Sequence, residues 1–318
     1  MRYKQQREGV KMKRVAVLGG SGFIGKNLVK NILRDGRYCV TSFDYHLESS
    51  CDKSQSLCCI KGDFYNTDDI KKIVEDNDVI VHAICSINPG NSNERYMFAY
   101  SHDLLKTVEL CEMCSRMGKR LIFISSGGTV YGLQTKMPIV EETLSYPVNH
   151  YGNLKLCIEN TLRTFSKQQG ADIMIARIAN VYGPGQDFKK GVGFIDAVLK
   201  SGLTGNTVCI YGDGSVVRDY VYIDDACKML ISLFEYSGNY DTFNIATGEG
   251  NSQLDILEIV SRYIPDMKKD FVEERSVDVK KIILDNSRIK SIYKDEILSV
   301  SQGVESYIDY LKRERKLG

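Results

Sequence analysis

The sequence is short of several things, and each shortage closes a possibility. It has almost no surplus of charge: 42 Lys and Arg stand against 41 Asp and Glu, a formal charge of +1. That leaves no basic footprint for a nucleic-acid partner. An anionic small molecule stays open, because a few Arg side chains or backbone N–H groups bind phosphate without net charge. No apolar run reaches the roughly 18 residues needed to span a bilayer. Residues 1–13 are basic and polar and lack an apolar signal core, so a cytoplasmic protein with no membrane partner is expected. The four His are scattered. Ten Cys are present, yet Cys58 and Cys59 are adjacent and no second Cys-x-x-Cys joins Cys111 and Cys114 to complete a zinc site. No metal and reduced thiols are expected. Repeats and low-complexity linkers are missing too. What is there, 318 residues of which 43% are hydrophobic, suffices for a large core in one domain or two lobes.

Short apolar runs alternate with helical patterns. Lys13–Leu18, Cys39–Asp44, Val79–Ala83, Arg120–Ser125 and Asp172–Arg177 read as buried strands. Gly25–Arg34, Asp68–Glu75, Asp103–Met117 and Tyr151–Gln169 read as helices between them. This alternation predicts an α/β fold built on a doubly wound parallel sheet. After Gly183, glycines, short strands and polar loops are expected up to Asp219. Val221–Tyr236 and Thr242–Ile245 return to the first lobe, and Leu254–Tyr263 and Val304–Glu314 are amphipathic helices of a second. The expected division is 12–185 with 221–248 for one lobe, and 186–220 with 249–318 for the other.

Gly19-Gly-Ser-Gly22-Phe-Ile-Gly25 follows the first strand and opens the first helix. Gly19 permits the turn, Gly22 lets a pyrophosphate approach the backbone, and Gly25 lets helix and strand close up. The helix N-terminus adds N–H donors and partial positive charge. A dinucleotide site on a Rossmann-like sheet is therefore expected, with Phe23 and Ile24 in its first turn. Asp44 ends the second strand, 19 residues past Gly25. A carboxylate there accepts from both ribose hydroxyls and repels a 2′-phosphate. With Tyr45 and His46 next and no Arg, NAD is favoured over NADP. Asp63, which ends a third strand, either meets the adenine edge or is a loop Asp, with Phe64 beside it.

Tyr151-Gly-Asn-Leu-Lys155 puts a phenol and an ammonium on one helix face. A phenol titrates near pH 10 and is a poor base at neutrality. Making it one takes about 4 kcal/mol of differential stabilisation, expected here from Lys155 and the nicotinamide charge. Tyr151 then takes the proton from a sugar hydroxyl.

The Gly-x-x-Gly-x-x-Gly spacing and Tyr-x-x-x-Lys resemble the extended short-chain dehydrogenases/reductases. Ser125-Ser-Gly-Gly-Thr-Val-Tyr-Gly132 resembles the strand-end motif of their NAD-dependent epimerase/dehydratase branch, specifically nucleotide-sugar 4-epimerases of the UDP-glucose/UDP-galactose type. The resemblance covers most of the chain and implies a smaller C-terminal α/β substrate-binding lobe. The family places Ser or Thr where this chain has Gly127. Ser126 or Thr129 is left to supply that hydroxyl, and Ser126 is favoured on reach. Sugar dehydratases carry Asp-Glu where Gly128 and Thr129 stand, so dehydration is not expected. Ala83 and Ser125 complete the implied cofactor contacts, and Ser86 lines the nicotinamide side. Asp103 replaces the family's Asn, and Lys106 its Gly.

Arg177-Ile-Ala-Asn180-Val-Tyr-Gly-Pro resembles the family segment in which the Asn meets the diphosphate. Arg218-Asp219 and Arg275-Ser-Val-Asp278 resemble the segments whose Arg residues pair with the diphosphate, Asp278 meeting a ribose and Asp219 anchoring its loop. The resemblance implies a 4-epimerase that works through transient oxidation at C4 of a UDP-sugar. Two alternatives stand beside it: an NAD(P)H-dependent keto-sugar reductase, for which Gly127 argues, and a non-catalytic NAD-binding regulator, against which Tyr151 and Lys155 argue. A homodimer packed through the helices Asp103–Met117 and Tyr151–Gln169 is implied as well.

Overall fold

A computed structural model describes residues 12–47, 56–186, 193–273 and 279–317. The first lobe runs β1 (Lys13–Leu18), α1 (Phe23–Asp35), β2 (Tyr38–Asp44), β3 (Leu57–Lys61), α2 (Thr67–Asp76), β4 (Val79–His82), α3 (Ser92–Phe98), α4 (Leu105–Arg116), β5 (Arg120–Ser126), α5 (His150–Gln169) and β6 (Ile173–Ile178). There follow β7 (Asn180–Tyr182), α6 (Phe194–Thr204), β8 (Val208–Tyr211), β9 (Val217–Arg218), β10 (Tyr220–Tyr222), α7 (Ile223–Ser232) and β11 (Thr242–Ile245). The chain closes with β12 (Asn251–Ser252), α8 (Gln253–Ser261), β13 (Lys269–Val272), β14 (Lys281–Ile282), α9 (Ser287–Ile292) and α10 (Val300–Leu317).

Seven strands form one parallel sheet in the order β11-β6-β5-β4-β1-β2-β3. It is the doubly wound, Rossmann-like α/β arrangement that the alternation predicts. Between β1 and β4 the connections turn in opposite directions, and a crevice opens there at the carboxyl ends of the strands. Side chains alternate across the sheet. Val15 and Val17 of β1 pack with Leu28 and Ile32 of α1 and Leu230 of α7 on one face. Ala16 and Leu18 pack on the other face with Leu110 of α4 and Leu154, Ile158 and Leu162 of α5. Each fully buried aliphatic side chain contributes about 1.5–3 kcal/mol. A separate core joins Ile195 and Val198 of α6, Ile256 and Val260 of α8, and Val304 and Tyr307 of α10. Among the described residues no helix is long and apolar enough to cross a membrane, and no cluster of metal-ligating side chains forms.

Four local expectations need correction. The helix expected to start at Asp103 is instead α3, a π-helical turn over Ala99–Leu104, and α4. The extra residue per turn rotates Asp103 inward, out of the register a 3.6-residue pattern assumes. The glycine-rich stretch after Gly183 contains the 11-residue helix α6, with Ile195, Val198 and Leu199 on its buried stripe. Gly202 lies within α6, and Gly205 closes it in the left-handed conformation, so these glycines serve a helix and not a loop. The third strand ends at Lys61, two residues before Asp63. Cys59, on that edge strand, is disulfide-bonded, against the expectation of reduced thiols. The side chains there are only partly covered, which lets the sulfur reach a partner.

Candidate active site

The glycine loop forms the floor of the crevice. The N–H groups of Gly19 and Gly20 donate to Phe43 O at 2.9 and 3.0 Å, tying the loop to the end of β2. Gly19 has a φ of +87°. A Cβ at Gly25 would lie 2.0 Å from Gly19 O, so only glycine lets α1 close onto the loop. At Gly22 a Cβ would meet only Gly19 O, at 3.2 Å. Gly22 is also the N-cap of α1 and offers no side-chain acceptor to the first-turn N–H groups. That is the donor set a pyrophosphate needs. Asp44 sits beside the loop and accepts from Ser21 N at 3.1 Å and His46 N at 2.9 Å. These bonds aim its carboxylate, whose other lone pairs suit two ribose hydroxyls. The residues present therefore fit a dinucleotide.

The other expected contacts divide. Phe23 and Ile24 are half-buried against the α1 side of the core. Ala83 lies against Gly19 at the end of β4. Phe64 turns its ring into the core, 4.9 Å from the buried His82. Asp63 accepts from Tyr65 N at 2.9 Å in a local turn after β3. Burial and the charge of Lys155 lower the pKa of His82 to about 3 and hold it neutral.

Tyr151 stands at the start of α5, with the Ser126 side chain near its phenol and favouring the phenolate. Lys155 Nζ donates to Ile124 O at 2.8 Å and lies 5.7 Å from the centre of the Tyr151 ring. The expected lowering of the phenol pKa by Lys155 is not what the protein does by itself. Burial pushes Tyr151 well up, the neighbouring Cys85 adds to this, and the Ser126 hydroxyl opposes it. Ser125 also departs from expectation. Its hydroxyl is buried and donates to Glu159 Oε1 at 2.5 Å. Consecutive strand residues face opposite sides, and Ser125 falls on the side α5 covers.

The missing hydroxyl at Gly127 has a steric reason. A Cβ there would lie 2.4 Å from Leu284 Cδ1 and 3.2 Å from Arg177 O, facing the core. Leu284 is fully buried. Gly127→Ser is expected to cost about 1–3 kcal/mol by overpacking. In a Leu284→Ala background the same change costs less. Thermal unfolding of the four proteins checks this, and additive costs would mean that the two positions do not meet.

At the substrate end, Asn180 opens β7 with its side chain beside Gly128, where a Cβ would lie 2.8 Å from Asn180 Oδ1. Thr129 Oγ1 is buried and has no hydrogen-bond partner among the described residues. Arg218 is half-buried on β9 and donates to Val217 O at 2.9 Å. Asp219 accepts from Thr247 N, Thr247 Oγ1 and Gly248 N at 3.0, 2.7 and 3.0 Å, the anchoring role expected of it. Burial raises its carboxyl to about 6. Ser86 donates from N and Oγ to Asp103 Oδ2, both at 2.8 Å, and Tyr65 Oη donates to Asp103 Oδ1 at 2.6 Å. All three partners are donors, so a carboxylate serves where the resembling family has an amide. Arg275 and Asp278 lie outside the described residues. The motifs did not single out Cys85 or Glu159. Glu159 carried a signal: it continues the four-residue spacing of Tyr151 and Lys155.

A glycine-floored dinucleotide crevice, with a phenol and an ammonium on one helix face at its mouth, defines an enzyme that works with a nicotinamide cofactor. Residues 15–246 match the model of the NAD dependent epimerase/dehydratase family. The chain belongs to that family: it is an NAD-dependent enzyme of the sugar epimerase class. A UDP-glucose 4-epimerase of Mycolicibacterium smegmatis is 28% identical, over 94% of this chain and 98% of the relative. The crystal structure of UDP-glucose 4-epimerase with UDP-glucose from Thermotoga maritima superposes with a TM-score of 0.86 at 27% identity, over 95% of this chain and 99% of that one. That of UDP-glucuronic acid 4-epimerase from Bacillus cereus, in complex with UDP-glucuronic acid and NAD, gives 0.85 at 26% identity, over 94% and 99%.

Proposed function

We propose that the protein is a UDP-sugar 4-epimerase. The observation that carries this is the Tyr151 phenol beside Ser126 at the end of β5, with Lys155 Nζ 5.7 Å from its ring, in a crevice whose positions 128 and 129 hold no acid. NAD, held by Gly19, Gly22, Gly25 and Asp44, supplies the two-electron redox capacity for a sugar carbon and a pyridinium charge that favours the phenolate. Tyr151 takes the proton from the sugar O4 and later returns it to the same oxygen. Ser126 orients that oxygen, and the unpartnered Thr129 hydroxyl is a second donor to the sugar. Lys155 fixes the local charge, Asn180 and Arg218 bind the diphosphate, and Arg275 and Asp278 add to this, as the family resemblance implies. Holding the substrate by its diphosphate lets the 4-keto sugar turn over and present its other face. On this reading 12–185 with 221–248 binds cofactor, and 186–220 with 249–318 binds the nucleotide sugar.

Purified protein incubated with UDP-galactose, UDP-glucose or UDP-glucuronate, without added cofactor, is expected to yield the C4 epimer by proton NMR. Turnover of a 4-keto sugar alone, and only with added NADPH, would mean a reductase.

The pairing surface is carried by α3, α4 and the outer face of α5. Met97 and Leu105 are 68% and 63% exposed there, a high share for large apolar side chains. A homodimer is expected, twice the 35.9 kDa chain mass by light scattering at micromolar concentration. A single-chain mass would rule it out.

A further inference from the structure

Four residues recur on one face of α5 at four-residue spacing: Tyr151, Lys155, Glu159 and Arg163. The first three each meet the end of β5. Tyr151 meets the hydroxyl of Ser126, Lys155 meets Ile124 O at 2.8 Å, and Glu159 accepts from Ser125 Oγ at 2.5 Å. Glu159 is wholly buried, and its other partner is Arg177, only 2% exposed. Arg177 Nη2 lies 2.6 Å from Glu159 Oε2, and Nε reaches both carboxylate oxygens at 3.1 and 3.2 Å. Ser125 and Arg177 are direct partners across β5 and β6, so both converge on one carboxylate from adjacent strands. Arg163 Nη2 closes the set, 3.0 Å from Glu159 Oε2 and 3.1 Å from Thr242 Oγ1 on β11. The Arg177 guanidinium also stacks 4.6 Å from the centre of the Tyr131 ring and donates to Glu141 O at 3.2 Å.

We infer that Glu159 and Arg177 are positioning residues: as a buried pair they set how far α5 lies along β5, and so hold Tyr151 against Ser126. This rests on the reading of Tyr151 as the proton acceptor. Leu154, Ile158 and Leu162 hold α5 to the sheet by apolar contact, which is non-directional and tolerates a small slide. A guanidinium fork on a carboxylate has a fixed geometry and tolerates little. A buried ion pair adds little net stability over an apolar pair of similar volume. What this one adds is register, and register sets how near the Tyr151 phenol lies to Ser126 and to Lys155. The other groups facing Tyr151 are Cys85 from the loop after β4 and Lys155 of its own helix.

The test is the double variant Glu159→Leu/Arg177→Met in the full-length protein with bound NAD. It removes the two most buried charges together, and the partly exposed Arg163 keeps its bond to Thr242 Oγ1. Three quantities are read: the thermal midpoint, the Tyr151 titration as the absorbance difference from the same protein carrying Tyr151→Phe, and kcat against pH with UDP-galactose as probe. The midpoint is expected to hold or rise. The phenol titration moves alkaline by about one pH unit, which is about tenfold less phenolate at pH 7. kcat falls about tenfold at pH 7, the deficit closes as pH rises, and KM stays within about twofold. A folded double variant with unchanged titration and kcat overturns the inference. Should it not fold, Ser125→Ala removes one bond and no charge. It is expected to shift the titration the same way with about a two- to threefold loss of kcat, in keeping with the loss of one uncharged hydrogen bond, and an unshifted titration there also overturns the inference. Absence of turnover in the unaltered protein would sink the functional reading, while the titration would still decide the placement of Tyr151.

Discussion

Tyr151→Phe is expected to lower kcat by about a thousandfold and to leave NAD bound. Loss of a positioned proton acceptor costs roughly 10²–10⁴ in rate. The lower part of that range is not expected here because the described surroundings offer no equal substitute. The Cys85 thiol is half-buried and its pKa is raised, and Asp103 already accepts from Ser86 and Tyr65. The lost hydroxyl is not tied into the fold beyond Ser126, so the thermal midpoint stays close to that of the unaltered protein. Steady-state rates with UDP-galactose, with retained NAD measured by absorbance, check both halves. A variant that keeps its rate would remove the phenol from the reaction and the epimerase assignment with it.

Gly25→Ala is expected to have an effect of similar size, through the backbone instead of the chemistry. The added Cβ would lie 2.0 Å from Gly19 O and 2.8 Å from Gly19 C, so both colliding groups are main chain. Relief requires α1 to lift from β1 or the loop to break its bonds from Gly19 and Gly20 to Phe43 O. The cost is expected at about 3 kcal/mol, the upper end for overpacking, since no side chain can swing aside. Retained dinucleotide should fall with it. Gly22→Ala is the informative comparison. Its Cβ would meet only Gly19 O at 3.2 Å, so the fold should survive while the pyrophosphate loses its approach. Thermal unfolding and the 260 nm absorbance of the purified variants separate the two cases. Equal midpoints for Gly25→Ala and the unaltered protein would mean that the loop does not close on α1 as described.

Much of the site was legible because it is local. The turn of Gly19–Gly25 is set by residues within seven positions of one another, and the pairing of Tyr151 with Lys155 follows from helix geometry alone. Asp44 was legible for a similar reason, since the length of the first βα unit brings the end of β2 beside the loop. The parallel strands announced themselves as unbroken apolar runs, which only burial on both faces explains.

Where the reading failed, the deciding atom belonged to a distant part of the chain or to a departure from regular spacing. Helix α6 carries an apolar stripe, but its glycines disguised it. The π-helical turn that swings Asp103 onto Ser86 breaks the period on which helix reading depends. Ser125 and Ser126 are alike in sequence, and only the packing of α5 gives one to Glu159 and the other to Tyr151.

By itself, then, the order of residues determined the parallel sheet, the dinucleotide loop and the identity of the phenol and its ammonium neighbour. Periodicity and glycine spacing state which face of an element is buried and where the backbone must bend. Only the tertiary structure decided which hydroxyl meets Tyr151, why position 127 carries no side chain, and what holds α5 in place. Those answers depend on Leu284 lying against Gly127 and on Arg177 converging with Ser125 on Glu159, contacts between residues far apart along the chain that no local pattern encodes.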